Sequence, residues 1–217
     1  VDDVSKHRLV GVDASGLELR CLAHYMNDPE YTNIVLTGDV HTANQERAGL
    51  KTRDQAKTFI YAFLYGAGAA KIGKVVGGTA KHGQQLITRF LNNMPALKHL
   101  RMLVSKESAG GTIKALDGRL LHIRSEHAAL NTLLQGAGAI VCKQWLVHIM
   151  ERVIKAKLDV RLVASIHDEY QFEVAIPDIE RFCRLTKEAM TQTTKTLKMK
   201  CELDCDYKVG KTWADTH

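Results

Sequence analysis

Proline is scarce in this 217-residue chain, with three in all, which excludes a Pro-rich linker between modules. No internal repeat and no low-complexity tract interrupts it, so solenoid and spacer architectures are excluded as well. No apolar run approaches the roughly 20 residues that a membrane-spanning helix needs. The first residues, Val1-Asp2-Asp3-Val4, lack a signal-peptide pattern and an initiator Met. Five cysteines are too few, and an odd number, for a disulfide scaffold. Cys21, Cys142 and Cys183 are scattered, and Cys201 and Cys205 do not form CxxC. The pattern reads as reduced thiols in a cytosol, with no membrane partner. Excess charge is modest: 30 basic against 24 acidic residues give +6, which permits a polyanionic partner without demanding one.

What is present is an ordinary globular composition, 45% hydrophobic and 25% charged, in a chain long enough to bury a core. Leu9-Val10-Gly11-Val12 reads as a buried strand stopping at Asp13, and Leu17–Met26 reads as helix. Gly38–Gly49 reads as a looser segment with a polar centre. Thr52–Tyr65 is a helix with Thr52 and Gln55 at capping-box spacing and Gly66 and Gly68 at its end. Gln84–Ser108 is expected to be helical with a break at Pro95, Gly110-Gly111 a turn, and Thr112–Arg124 a hairpin around Asp117-Gly118. His127–Lys157 reads as one long helix weakened by Gly136 and Gly138. Two strands, Arg161–Ile166 and Tyr170–Val174, meet at His167-Asp168-Glu169. A helix over Pro177–Leu197, with Asp178 and Glu180 capping its start, and a last strand over Cys201–Val209 complete the chain. Cys201 and Cys205 would face one side of that strand and pack. The fold class is α+β, helices segregated against a mostly antiparallel sheet.

Chemistry is suggested at three places. Asp13 and Glu18 flank a strand-to-helix transition, and Asp168-Glu169 occupy a hairpin joint. Two strands of one sheet can bring Asp13 and Asp168 together, where their repulsion calls for a cation between them. Oxygen-only donors suit Mg²⁺, and two carboxylates bridging two Mg²⁺ ions suit in-line phosphoryl displacement. The competing reading makes Asp13 a helix cap and Asp168-Glu169 a solvated turn. The third place is the 52–65 helix. Arg53, Lys57, Tyr61 and Tyr65 recur every four residues and wind slowly along one face, leaving Phe59, Ile60, Phe63 and Leu64 to bury. Two cations near a helix N-terminus suit phosphates, and two tyrosines beyond them suit a base and sugar. A surface helix with incidentally packed aromatics is the alternative. Asn131 and Gln135, one turn apart, are amides able to probe the acceptors shared by all base pairs in a minor groove, or are simply solvated.

In order along the chain, Asp13-Ala-Ser-Gly-Leu-Glu18-Leu-Arg20, Arg53-x₃-Lys57-x₃-Tyr61-x₃-Tyr65-Gly66 and His167-Asp168-Glu169 resemble motifs A, B and C of the family A (polymerase I type) DNA polymerases. Gly38-Asp39-Val40-His41-Thr42 and His127-Ala-Ala-Leu-Asn131-Thr-Leu-Leu-Gln135 are similar to further segments of that family, in the flavour of podovirus-like phage replicative enzymes. The resemblance implies a palm with an antiparallel sheet backed by helices and a helical fingers subdomain. Residues 1–37 and 127–217 would form the palm, and 38–126 the fingers, with the motif B helix at about 52–66. It implies two Mg²⁺ ions, with Mn²⁺ as a substitute, held by Asp13, Asp168 and the Ala14 carbonyl, with Glu169 in support. Glu18 would exclude a ribose 2′-OH. His41, Arg53 and Lys57 would bind the triphosphate, and Lys57 would also protonate the leaving pyrophosphate. Tyr61 would pack on the incoming sugar and base, a tyrosine there implying tolerance of dideoxynucleotides. Tyr65 and Gly66 would border the templating base, Asn131 and Gln135 would probe the nascent pair, and His167 would approach the primer end.

The partners implied are primer-template DNA and deoxynucleoside triphosphates, in the cytoplasm (the host's, for a phage protein). Family members carry a thumb before motif A and usually an exonuclease domain, neither of which is read here. A second polypeptide supplying them is therefore expected, and a split polymerase, a processed precursor and an expression fragment all fit. Two other classes remain: a nucleic-acid-binding subunit that keeps the fold without catalysis, and a carboxylate-metal nuclease or phosphohydrolase. The second would explain Asp13 and Asp168 but not the cation–tyrosine stripe.

Overall fold

A computed structural model describes residues 3–217; the first two residues of the N-terminal reading, Val1 and Asp2, lie outside the described residues. In chain order, β1 (His7–Ala14), α1 (Leu17–Met26), α2 (Pro29–Thr37), α3 (Val40–Ala48) and α4 (Arg53–Leu64) lead into α5 (Ala69–Val75), α6 (Ala80–Asn92) and α7 (Pro95–Glu107). The hairpin β2 (Thr112–Lys114) and β3 (Leu120–His122) precedes the long α8 (Ala129–Ala156). Then come β4 (Val160–Ile166), β5 (Glu169–Ala175), α9 (Ile179–Thr196), β6 (Cys205–Gly210) and the short α10 (Trp213–Thr216). The chain divides into two compact units, Val1–Arg20 with Ala137–His217, and Cys21–Gly136, so the divisions fall within α1 and α8.

The first unit is built on a four-stranded sheet ordered β4-β5-β1-β6, in which every neighbouring pair is antiparallel. Strand periodicity sorts its two faces. Val10, Val12, Ala14, Tyr170, Phe172 and Val174 are buried along one of them. There Tyr170 meets Trp145 of α8 at 5.7 Å between ring centroids, and Phe172 meets Phe182 of α9 edge-on at 4.9 Å. Trp145 is fully buried and donates its indole N–H to the Thr186 carbonyl at 3.0 Å. The opposite face carries Gly11 and Asp13 of β1 and Glu169, Gln171 and Glu173 of β5. Against it lie α10, through Thr216, and the residue that follows it, His217. Gly138 of α8 faces Leu17, where an added Cβ would sit at an ordinary contact distance of 3.4 Å.

The second unit is helical apart from the β2–β3 hairpin. Phe59, Phe63 and Phe90 form an aromatic cluster with centroid spacings of 5.0 Å (Phe59–Phe90) and 5.6 Å (Phe63–Phe90), and the Arg101 guanidinium lies 5.1 Å from the Phe63 ring. α5 and α6 touch backbone to backbone, because a Cβ on Gly83 would collide with the Ala69 carbonyl and one on Gly73 with the Thr79 carbonyl.

Several sequence expectations are corrected. Gly38–Gly49 is helix over Val40–Ala48, not a loose segment. Its ends fix it: Asp39 accepts from the His41 and Thr42 N–H groups, and Gly49 closes it in the left-handed conformation. α2, capped by Asp28 with Pro29 in its first turn, was not anticipated. Neither was α5, and α6 begins at Ala80 rather than Gln84, capped by Thr79. Asp178 precedes α9 but makes no side-chain cap; its carboxylate accepts from the Asp159 N–H at 2.9 Å instead. Cys201 lies before the last strand, which starts at Cys205, so the two thiols do not share a strand face, although both are buried. The Pro95 break, the hairpin and the Gly136- and Gly138-bearing helix fall where the sequence places them, whereas the joint is His167-Asp168 alone, because Glu169 is already paired as the first residue of β5.

Candidate active site

Asp13 sits in β1 rather than at a helix start, since α1 begins at Leu17. Its cross-strand partners are Glu169 on β5 and Asp206 on β6. Three carboxylate-bearing residues therefore stand in one row across three adjacent strands. Asp168 lies in the two-residue joint between β4 and β5, and its carbonyl accepts from the Ala14 N–H at 3.1 Å, tying the joint to the end of β1. His167, exposed in the same joint, adopts a left-handed φ of 52°, a conformation His tolerates better than most non-glycine residues. The Ser15 hydroxyl donates to Asp206 at 2.7 Å. A cavity of about 340 Å³ is bordered by Asp13, Glu169, Asp206, Tyr207, Lys208 and His217.

Like charges facing one another across strands are unfavourable. Asp13 records this: burial first, then Asp168, Glu169 and Asp206 in turn, push its carboxyl up to about 6. For an acid, a native pKa above the unfolded value means that ionisation costs stability. The cost is absent below about pH 4, grows as pH rises and is complete above about 6. Asp13→Asn removes it. Water reaches the row, so we expect a gain of no more than about 1 kcal/mol, roughly 2–4 °C in thermal midpoint, at pH 8 without divalent metal. The gain should vanish by pH 4; thermal melts of both proteins across that range check it, and a variant less stable at pH 8 would contradict the sign.

Among the described residues no three His, Cys, Asp or Glu side chains converge into a ready-made metal cage. Mg²⁺ does not require one, since it keeps waters and takes one or two carboxylates alongside substrate phosphates. Clustered carboxylates, one of them raised by burial and then by its neighbours' charges, suit a hard divalent cation. Glu18 occupies the first turn of α1, half-buried.

In the second unit Thr52 caps α4 by accepting from the Gln55 N–H at 3.2 Å. The helix then buries Ala56, Phe59, Ile60, Phe63 and Leu64 and leaves Arg53, Lys57 and Tyr65 exposed, with Tyr61 half-buried. Tyr61 and Tyr65 stack at 6.4 Å, and His41 of α3 lies 6.0 Å from the Tyr61 ring. Burial, then the charges of Arg53 and, more weakly, Lys57, lower the His41 pKa against the opposing pull of Asp39, so the imidazole is neutral at pH 7. His41, Arg53, Lys57, Tyr61 and Tyr65 thus share one face. Gly66 follows with φ of 78°, and an added Cβ there would lie 2.7 Å from the His127 carbonyl. That contact sets the end of the stripe against the segment leading into α8, which carries Asn131 (half-buried) and Gln135 (exposed).

Five features escaped the sequence reading. Asp39 binds Arg53 Nε at 2.6 Å while capping α3, and its carboxyl is held well below the usual range by that guanidinium. Its signal was present, as the residue two before His41. Asp206 and Gln171 acquire meaning only through strand register, and His217 only through α10. Between Gln55 and Lys106 there is no Asp or Glu, while Lys and Arg recur throughout, a local bias that the whole-chain charge conceals.

The chain as a whole, rather than these side chains singly, is what the comparisons with known proteins address. The family model for DNA polymerase family A matches residues 2–215, and the chain belongs to that family. It is 43% identical to the DNA-directed DNA polymerase of Enterobacteria phage T3 and 44% identical to that of Escherichia phage T7, each over 95% of this chain and 33% of the relative. It is 28% identical to DNA polymerase I of Geobacillus stearothermophilus over 95% of this chain and 26% of that protein. The chain spans about a third of the length of the phage relatives. The POL domain of Pol1 from M. smegmatis, solved in complex with DNA primer-template and dNTP, superposes with a TM-score of 0.87 at 21% identity, covering 97% of this chain and 41% of that one. Among the described residues no helix is long and apolar enough to cross a membrane.

Proposed function

We propose that this chain is the palm and fingers of a template-directed DNA polymerase, adding deoxynucleotides to a primer 3′-OH. The single observation that carries the reading is the tie between the β1 end and the β4–β5 joint, Ala14 N–H to Asp168 carbonyl at 3.1 Å, which holds Asp13 and Asp168 on neighbouring strand ends. The palm, residues 1–37 and 127–217, takes in the whole first unit, and the fingers, residues 38–126, lie within the second. Asp13, Asp168 and the Ala14 carbonyl would hold the metal, two Mg²⁺ ions or Mn²⁺ in their place, with Glu169 beside them. When bound, the metal supplies activation of the 3′-hydroxyl and charge neutralisation on the leaving pyrophosphate.

The chain's own residues do the rest. Arg53 and Lys57, at the N-terminal end of α4 where the helix dipole also favours anions, bind the triphosphate with His41. A neutral His41 serves there as a hydrogen-bond donor rather than as a third cation. Lys57 delivers a proton to the departing pyrophosphate. Tyr61 packs on the incoming sugar and base, and Glu18 rejects a 2′-OH. Tyr65 and Gly66 border the templating base, Asn131 and Gln135 probe the new pair, and His167 approaches the primer end. The acid-free stretch 55–106 lends the fingers a cationic surface suited to nucleic acid.

Primer extension with Mg²⁺ and deoxynucleoside triphosphates tests the function. Extension with one pyrophosphate released per nucleotide added is the expected result. Mononucleotides released from DNA would indicate a nuclease, and DNA binding without extension a non-catalytic subunit. Either outcome overturns the reading.

A further inference from the structure

The sheet face that carries Asp13 also holds a buried polar network that the phosphoryl chemistry leaves without a task. Glu169, Gln171 and Thr216 are 8%, 2% and 4% exposed. One Glu169 oxygen accepts from the Gln171 side-chain N–H, and the other lies 2.8 Å from His217 Nδ1. The far end of the Gln171 amide, Oε1, accepts from the Thr216 hydroxyl at 2.9 Å.

Each part of this network has a local cause. Residues 169 and 171 share a face because strands alternate. Gln171 is paired with Gly11, and a Cβ there would lie 2.6 Å from Gln171 Nε2 and 2.6 Å from the Thr216 carbonyl. The glycine in the middle of an apolar strand is thus the space into which the amide folds. Thr216 is held in turn by the capping box of Thr212 and Asp215 that starts α10. An amide is also the side chain this position calls for. It donates at one end and accepts at the other, so it can restrain a carboxylate and be braced itself. A cation would neutralise Glu169, and a further carboxylate would add repulsion to the row of Asp206, Asp13 and Glu169.

We propose that Gln171 is a positioning residue: braced by Thr216, it fixes the Glu169 carboxylate beside Asp13 for nucleotide transfer without itself touching substrate. The proposal rests on the polymerase reading for its consequence, but not for the coupling between Gln171 and Glu169.

A double-mutant cycle separates the two. Gln171→Leu keeps the volume and removes both hydrogen bonds; Glu169→Ala removes the group being positioned. In single-turnover incorporation, Gln171→Leu should lower the maximal rate about tenfold while nucleotide Kd changes less than about twofold. Thr216→Val should shift the rate in the same direction by a smaller factor. In the Glu169→Ala background, Gln171→Leu should change the rate less than about twofold. A full, independent loss in that background, or an unchanged rate in the single variant, overturns the proposal.

Urea unfolding of the same four proteins gives a readout that needs no activity. The unfolding equilibrium constants should be non-additive by at least about fivefold. If the wild-type protein extends no primer, the polymerase reading fails, while this cycle still decides the coupling: additivity overturns it and non-additivity supports it. Should the buried leucine prevent folding, Thr216→Val in the two Glu169 backgrounds carries the same comparison, with the same outcomes.

Discussion

Replacing Asp168 by alanine is expected to lower nucleotide incorporation by at least about a thousandfold, and Asp13→Ala to do the same, with both proteins remaining folded. The joint bearing Asp168 is held by backbone, through the Ala14 N–H, and a side-chain truncation leaves that bond in place. Asp13 is one of three carboxylates in a row whose mutual repulsion already weighs against the fold. Removing it relieves that repulsion while, under the proposed function, removing a charge that the reaction needs. A group that costs stability and carries catalysis should show opposite signs in the two measurements, and a merely structural carboxylate should not. Single-turnover extension and thermal melts on the same preparations test this. Near-normal extension by either variant would end the assignment of these residues as the catalytic pair. A loss of activity accompanied by unfolding would show that the row is structural.

The parts of the fold legible in the sequence are those fixed by local patterns. β1 announced itself as a short apolar run ending at Asp13, and α4 by Thr52, a four-residue stripe and the terminal glycines. The hairpin was legible from Asp117-Gly118. α3 was not, because Val40–Ala48 has no apolar periodicity; its helix is determined by caps at Asp39 and Gly49. α10 was invisible for a similar reason, being four residues long and held by its own capping box and by packing on the sheet. Within the candidate site, Asp13, Asp168 and Glu169 could be singled out as carboxylates at strand ends. That Asp206 joins them, and that Gln171 sits over Gly11, depends on the β1–β6 and β1–β5 registers. Register arises from long-range pairing, which no window of sequence contains. The Asp39–Arg53 contact lay within reach, since both residues belong to segments already singled out, but an aspartate before a helix is read first as a cap.

The largest stability effect is expected at Trp145. Truncation to alanine should cost about 3–5 kcal/mol, a large share of the 5–15 kcal/mol typical of a whole domain. Its ring is fully buried on α8, packs 5.7 Å from Tyr170 and donates to the Thr186 carbonyl on α9, so one side chain links two helices to β5. Alanine would leave a cavity among these elements and remove the side-chain hydrogen bond that ties α8 to the Thr186 carbonyl of α9, two losses that act together. Trp145→Phe separates them. Phenylalanine keeps most of the apolar contact and loses only the indole N–H, so its cost should be about 1–3 kcal/mol. Tyr170 directly follows Glu169, so slack at Trp145 reaches the β4–β5 joint. Trp145→Ala should therefore slow incorporation even at temperatures where it is folded, and Trp145→Phe should slow it less. Urea titrations with extension rates measured well below each midpoint check both expectations. A cost under about 1 kcal/mol for the alanine variant would mean that Trp145 does not anchor the sheet.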